Sequence, residues 1–185
     1  ILANGFLVNQ LQLNVQPNAM VQATWSLLGL SVEPMAATSQ MNSVSEAASN
    51  SPFDTFTGAL TVDGTPVATA AGISLTLANG VEQKYPLFQQ NAHRLLDGRS
   101  NLSGELNLDF EDDKYFAAFM NETEMSLNFE LEDLTGNKYI FDIPRIKISG
   151  QNRSVSENDV TQSIPFMALR DDTLGSQLEI ERVTI

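Results

Sequence analysis

The chain has 185 residues, 42% of them hydrophobic, and 23 acidic against 10 basic residues give a net charge of −13. This composition predicts a folded protein with a hydrophobic core, and the lack of cysteine excludes disulfides, thiolate metal ligands and a cysteine nucleophile. Because Lys84 is the first basic residue, tight binding of nucleic acid or of an anionic membrane surface is disfavoured.

Alternating apolar and polar residues predict β-strands over most of the chain. The first two alternating segments flank a turn-forming stretch at residues 16–19 and predict a long hairpin over residues 6–28. Further strands are predicted at residues 73–77, 102–110, 125–132, 139–143, 164–170 and 177–184. Strict alternation gives a sheet one buried and one polar face, so about nine such strands predict an all-β fold, an antiparallel β-sandwich or barrel.

Residues 112–121 break the alternation and predict one short flanking α-helix. Asp112 is a suitable N-cap, and the helical spacing of the apolar residues predicts a face that packs on a sheet. The residues expected on this buried face are Tyr115, Phe116, Phe119 and Met120.

Residues 35–52 predict a long polar arm, since they are rich in Ser, Ala and Asn and lack aromatic residues. Long segments without secondary structure are usually functional or disordered. Two interpretations stay open, a floppy insertion and an arm that becomes ordered against another subunit. The candidate residues of an inter-ring arm are Met35, Ser39, Met41, Val44, Ser49 and Pro52.

No set of residues predicts an enzyme, a metal site or a cofactor. His93 is the single histidine, and its polar neighbours indicate a solvated loop. Glu130 and Glu132 lie on one strand face, a spacing that a glycosidase pair could use, but nothing indicates a cleft around them. Trp25 lies on the apolar phase of its strand, so we expect it in the core.

We expect a single domain over residues 1–185, because this length suits one hydrophobic core. The sequence contains no run of about eighteen apolar residues, so no membrane-spanning helix is predicted. No leader segment is visible. Since the sequence begins at Ile1 rather than Met, we expect a fragment of a longer chain.

The order of motifs along nearly the whole chain resembles the tail tube proteins of long-tailed bacteriophages, the major tail protein family. The first hairpin ends in Trp25-Ser26-Leu27-Leu28-Gly29 and is followed by the polar arm. The other motifs are Val62-Asp63-Gly64, Asn79-Gly80, Gly104-Glu105-Leu106 and Gly136-Asn137-Lys138-Tyr139, the last leading to Ile143-Pro144.

The resemblance implies a structural virion protein, a β-sandwich whose hexameric rings stack into the tube that conducts DNA. It implies a location in the virion tail, and in the host bacterial cytoplasm during assembly. The implied partners are other copies of the chain, a tape measure protein, a tail terminator and a baseplate hub. The resemblance also implies that DNA passes through without specific binding, that no membrane is involved, and that the loop at residues 35–52 reaches the adjacent ring.

The polar phase of the long strands supplies candidates for the surface that lines the lumen. A polar, acidic wall repels phosphates and offers no fixed cations, so DNA slides along it. The alternative, that these side chains face solvent outside the tube, stays open. The candidates are Gln10, Gln12, Asn14, Ser103, Glu105, Asn107, Asp109, Asn128 and Glu130.

Two other classes of protein fit the same strand pattern. One is an Ig-like binding or adhesin module, although such a module should expose aromatic rings, and most aromatic residues here lie on the apolar phase or in the predicted helix. The other is the effector tube protein of a secretion or contractile injection system.

Overall fold

The computed structural model describes residues 2–33, 52–53, 58–156 and 159–184. The predicted arm therefore lies outside the described residues except for Pro52, which is exposed. The arm candidates that fall outside are Met35, Ser39, Met41, Val44 and Ser49.

Within these ranges the chain forms fifteen β-strands and one α-helix. The strands are β1 (Leu2–Asn4), β2 (Leu7–Val15), β3 (Gln22–Leu28), β4 (Ser31–Glu33), β5 (Gly58–Val62), β6 (Thr65–Pro66), β7 (Ala70–Ala78), β8 (Glu82–Lys84), β9 (Arg94–Leu96), β10 (Asn101–Asp109), β11 (Glu124–Glu132), β12 (Lys138–Ile148), β13 (Asn152–Val155), β14 (Val160–Ala168) and β15 (Glu179–Val183). The helix α1 spans Lys114–Met120, shorter at both ends than predicted. The predicted all-β class with one short helix is confirmed.

Eleven strands form one antiparallel sheet that folds into two layers. The first layer has the strand order β3-β2-β7-β10-β14, with β13 beside β14. The second layer has the order β12-β11-β5-β6, with β15 beside β12. The long strand β12 joins the layers, because its residues 146–148 pair with β14 while its residues 138–142 pair with β15.

The inward-facing residues of the two layers meet in one hydrophobic core. Phe129 and Phe141 of the second layer stack with ring centroids 4.6 Å apart. Gly104 of β10 leaves room for the Phe166 ring, since a Cβ at this position would lie 2.5 Å from Phe166 Cζ. Other fully buried members of this core are Leu102, Leu106, Leu108, Leu127, Ile143 and Ile164.

Pro144 lies inside β12, at the place where its pairing with β11 shifts register between Met125 and Leu127. Proline has no N–H to donate to a ladder and is tolerated in strands mainly at edges and bulges. A bulge also bends its strand. The proline therefore stands where β12 passes from the second layer to the first.

The prediction of the buried face of α1 is confirmed for Tyr115 and was wrong for Phe116, Phe119 and Met120. Tyr115 and Ala118 are buried, whereas Phe116, Phe119 and Met120 are exposed. Residues three apart share one side of a helix, so the pair Tyr115 and Ala118 fits the sequence pattern as well as the pair Phe116 and Phe119. In a helix this short the pattern does not fix the rotation about its axis, and the packing selects Tyr115. No helix of the described residues has the length and hydropathy that a membrane crossing requires.

The prediction that Trp25 lies in the core was also wrong, because its side chain is 57% exposed. Trp25 does lie on the apolar phase of β3, opposite Leu11 of β2. β3 is however the outermost strand of the first layer. Alternation reports which face of a strand is apolar, but not whether another layer covers that face.

Candidate assembly surfaces

The outward residues of the first layer form a continuous polar surface, here called the polar face. The pairing of β2, β7 and β10 places its members in cross-strand rows. One row contains Gln12, Thr76 and Ser103. The next contains Asn14, Ser74 and Glu105. Seven of the predicted lumen residues lie on this face or at its end, namely Gln10, Gln12, Asn14, Ser103, Glu105, Asn107 and Asp109.

Amide and hydroxyl groups dominate the polar face. β3 extends it with Gln22, Thr24 and Ser26, which pair with β2, and β14 adds Ser163 opposite Asn107. The Ser163 hydroxyl donates a hydrogen bond to the Glu105 carboxylate. The strands β2, β3, β7, β10 and β14 contain no Lys or Arg. At the border of the face, the row of Ser103 continues through Met167 to Lys147 of β12, whose ammonium pairs with Glu122 at 3.2 Å. β13 carries Arg153, which pairs with Asp113. The five strands therefore offer hydrogen-bonding groups but no cation of their own to an approaching phosphate.

Asn128 and Glu130 lie apart from the other seven lumen candidates. Both are on β11 in the second layer, on the phase opposite to Leu127, Phe129 and Leu131, which are buried in the core. Since the two layers bury their inner faces against each other, their outer faces point in opposite directions. One subunit cannot place all nine candidates on one wall.

The outer face of the second layer is acidic. Lys138 lies between two of its carboxylates, with Nζ 3.4 Å from Glu130 and 3.2 Å from Glu132. These ion pairs raise the pKa of Lys138. The two carboxylates that could have formed a glycosidase pair thus hold a lysine on a sheet surface. The strand register adds Asp142, Glu179 and Glu181 to this face.

β3 is an open edge of the first layer. It pairs with β2 on one side, and no described strand pairs with its other side. On the apolar phase of β3, Trp25 is 57% and Leu27 52% exposed, and Ala23 of the same strand is exposed too. A long edge strand with unpaired backbone groups is a template for pairing with another chain. Large exposed apolar side chains in one patch mark a protein interface.

Chemical groups for catalysis do not converge at these surfaces. Among the described residues, no three His, Cys, Asp or Glu side chains lie close enough together to hold a metal ion. His93 is exposed in the loop between β8 and β9. The features that stand out are a sheet edge, a polar face and apolar patches, all of which suit contacts between protein chains.

A known protein family matches this chain. A family model described as phage tail tube protein matches residues 2–168. A solved structure titled "Virion of native gene transfer agent (GTA) particle" shares 14% sequence identity with a TM-score of 0.45, covering 68% of this chain and 95% of the other. No curated protein matches the sequence. Because the family model covers most of the chain, the protein belongs to the phage tail tube family and is a structural component of the virion tail tube.

Proposed function

We propose that copies of this chain close into hexameric rings through the β3 edge, and that the stacked rings form a tube whose lumen is lined by the polar face. The observation that carries this proposal is the coincidence, on the same layer, of an open edge with a polar face whose strands β2, β3, β7, β10 and β14 contain no Lys or Arg. Pairing of β3 with a neighbouring copy extends that face from subunit to subunit.

Ring closure accounts for the unpaired edge of β3 and for its exposed apolar side chains. Closing a sheet into a barrel satisfies the backbone groups of every edge strand. The same closure covers Trp25 and Leu27, which a single subunit leaves exposed. Burial of a large aromatic side chain at the centre of a contact is a common anchor of protein interfaces. The second open edge of the first layer, at β13, is the partner that we propose for β3.

The polar face has the properties that a DNA conduit requires. DNA binds proteins mainly through Lys and Arg contacts to phosphates, and each contact strengthens binding in low salt. The seven candidates on the polar face supply only amides, hydroxyls and carboxylates, with Glu105 and Asp109 as the charged groups. A wall of this kind holds DNA neither by ion pairing nor by stacking. We assign the acidic second layer, with Asn128 and Glu130, to the outer surface of the tube.

Membership of the family supports the remaining parts of the proposal. The role of the chain is structural rather than catalytic. Assembly takes place in the host bacterial cytoplasm, with a tape measure protein, a tail terminator and a baseplate hub as further partners. Residues 35–52 form the arm that reaches the adjacent ring.

A charge reversal tests the assignment of the lumen. Glu105→Lys places a cation on the polar face, and Glu181→Lys makes the same change of charge on the second layer. Tubes of each variant are incubated with linear duplex DNA, and bound DNA is measured with and without nuclease. We expect the Glu105→Lys tubes to retain DNA that is protected from nuclease and released by salt. The Glu181→Lys tubes should bind DNA that nuclease degrades.

Two results would contradict the proposal. If DNA on Glu105→Lys tubes is as sensitive to nuclease as DNA on Glu181→Lys tubes, the polar face lies outside. If wild-type protein at high concentration forms neither rings nor tubes in negative-stain microscopy, the ring proposal itself fails. Circular dichroism of both variants shows whether the fold is kept. Glu181 is exposed, where substitutions usually change stability by only about 0.5 kcal/mol, whereas Glu105 is half-buried and also loses the hydrogen bond from Ser163.

A further inference from the structure

The loop between β8 and β9 exposes apolar side chains to an unusual degree. Phe88 is 103% and Leu87 84% exposed, and Tyr85 is 58% exposed. Phe88 also has a φ of 64°, in the left-handed region that bulky residues rarely adopt. Exposure of a Phe and a Leu side by side is unfavourable in water. We call Leu87 and Phe88 the apolar tip.

The hairpin that carries the apolar tip is tied to one end of the first layer. The Val81 N–H donates to the Asn9 side-chain oxygen at 3.0 Å, at the beginning of β2. The Gln83 amide donates to the Gly29 carbonyl at 2.6 Å, just after the end of β3. Val81 itself is buried. These contacts fix the base of the hairpin, so the tip is presented from a rigid support.

An apolar pocket opens at the opposite end of the same layer. It lies between the two layers, where β2 ends and β7 begins, and β5 and β11 form its other wall. Val15, Ile73, Leu60, Val67 and Phe129 line it, with Ala68 beside them. The pocket is thus bounded mainly by aliphatic and aromatic side chains, which suits an apolar guest rather than a polar one.

The tip and the pocket cannot meet within one subunit. β2 runs from the hairpin end to the pocket end, and its nine residues span about 27 Å at about 3.4 Å per residue. Two complementary patches at opposite ends of a subunit make a heterologous contact, which repeats from copy to copy. Such a contact builds an open filament unless the rotation closes it into a ring.

We propose that the apolar tip of one copy inserts into the pocket of a second copy in the next ring, and that this contact stacks the rings. The inference rests on the proposed function, because it names the partner of a surface that ring formation leaves free. Ring closure uses the lateral β3 edge, whereas the tip and the pocket lie at the two ends of the strands. The occupant of the pocket is therefore another copy of this chain.

A substitution at the tip tests stacking separately from ring formation. Phe88→Asp places a charge in the apolar contact, and the matched control Leu134→Asp changes a side chain that is 77% exposed at the turn between β11 and β12. Sedimentation and negative-stain microscopy follow assembly against protein concentration. We expect Phe88→Asp to raise the concentration required for tubes at least about tenfold, which corresponds to about 1.4 kcal/mol for each ring added to a tube. Single rings should persist, and Leu134→Asp should assemble like the wild type.

Cysteine cross-linking tests which surfaces meet. The chain has no cysteine of its own, so a pair can be introduced without interference. The Phe88→Cys and Ala68→Cys pair, in one chain, joins tip to pocket rim only between copies. Oxidation of assembled protein should give a ladder of covalent multimers in a denaturing gel. The control pair of Leu134→Cys with Ala68→Cys should give no ladder.

The outcomes separate this inference from the proposed function. If the wild type forms tubes, Phe88→Asp forms only rings and the cysteine pair gives a ladder, the stacking contact and the proposed function are both supported. If the wild type forms tubes but Phe88→Asp also forms normal tubes, or the cysteine pair gives no ladder, the stacking contact is wrong and the lumen assignment stands. The same result is expected if another segment of the chain fills the pocket. Wild-type protein without rings or tubes overturns the proposed function, and the stacking contact with it.

Discussion

Two aromatic side chains of α1 should differ sharply in their effect on the free energy of unfolding. Tyr115 is 4% exposed and belongs to the core, whereas Phe119 is 36% exposed. Tyr115→Ala removes a buried ring and leaves a cavity, which typically costs about 3–5 kcal/mol. Phe119→Ala removes a ring that is in part already in water, so we expect a loss below about 1.5 kcal/mol.

The hydroxyl of Tyr115 allows a finer test of the same packing. It is buried, and it has no hydrogen-bond partner among the residues that the structure describes. Burial raises the pKa of Tyr115, and the neighbouring Lys114 ammonium partly opposes that shift. A buried polar group without a partner carries a desolvation cost of about 1–3 kcal/mol. Tyr115→Phe should therefore leave the free energy of unfolding unchanged or raise it.

Equilibrium unfolding in urea, followed by circular dichroism, measures all three variants under one condition. The expected order of stability is Tyr115→Phe at or above the wild type, then Phe119→Ala, then Tyr115→Ala. If Phe119→Ala costs more than Tyr115→Ala, the helix is rotated so that Phe119 faces the core. If Tyr115→Phe costs more than about 1 kcal/mol, the hydroxyl has a partner in solution.

Two further predictions concern the core and the turn before β12. Gly104→Ala should destabilise the fold by about 1–3 kcal/mol, because its Cβ would lie 2.5 Å from the Ser74 carbonyl oxygen and from the Phe166 ring. Thermal unfolding measures this loss. The control is Gly150→Ala, because a Cβ at this position meets nothing closer than 3.7 Å. Asp133 accepts hydrogen bonds from the Asn137 and Thr135 side chains, which lower its pKa from 3.8 to about 2. Since the folded pKa lies below the unfolded one, the stabilisation is present above about pH 4. It should fall as the pH drops towards 2, and Asp133→Asn should remove that part of the pH dependence; an unchanged pH dependence in this variant would contradict the assignment.

The long strands could be predicted from the sequence because each one carries its own evidence. β2, β10 and β11 have nine residues each, enough for several apolar–polar alternations. β6 has two residues and β8 and β9 three each, too few to show any period. The apolar tip was missed for this reason, since it lies on the hairpin of two such short strands. Leu87 and Phe88, adjacent apolar residues in a polar loop, were the signal that could have indicated it.

The errors share a physical origin in tertiary packing. The apolar phase of β3 and the apolar face of α1 were both visible, but neither pattern tells which neighbour covers which side chain. Trp25 has the same phase as the buried Leu13 of the next strand, yet within the described part of the chain its side chain stays 57% exposed. The phase that the nine lumen candidates share likewise does not tell which layer each of them belongs to, because β2 and β11 lie in opposite layers. Periodicity fixes a face within a strand, and only the strand order fixes where that face points.

The positions of Lys and Arg in the fold support the assignment of the lumen more strongly than the overall composition of the sequence does. Lys84 is the first base, so β2, β3 and β7 could lack cations merely because they precede it. β10 and β14 follow Lys84 and are also free of Lys and Arg. The later bases lie elsewhere, as with Lys138 and Arg145 on β12, which pair with carboxylates of β11. The absence of Lys and Arg thus extends over five neighbouring strands of one layer that lie on both sides of Lys84 in the sequence, as expected if those strands face DNA. Lys147 and Arg153 stand at the border of this layer, and each pairs with a carboxylate.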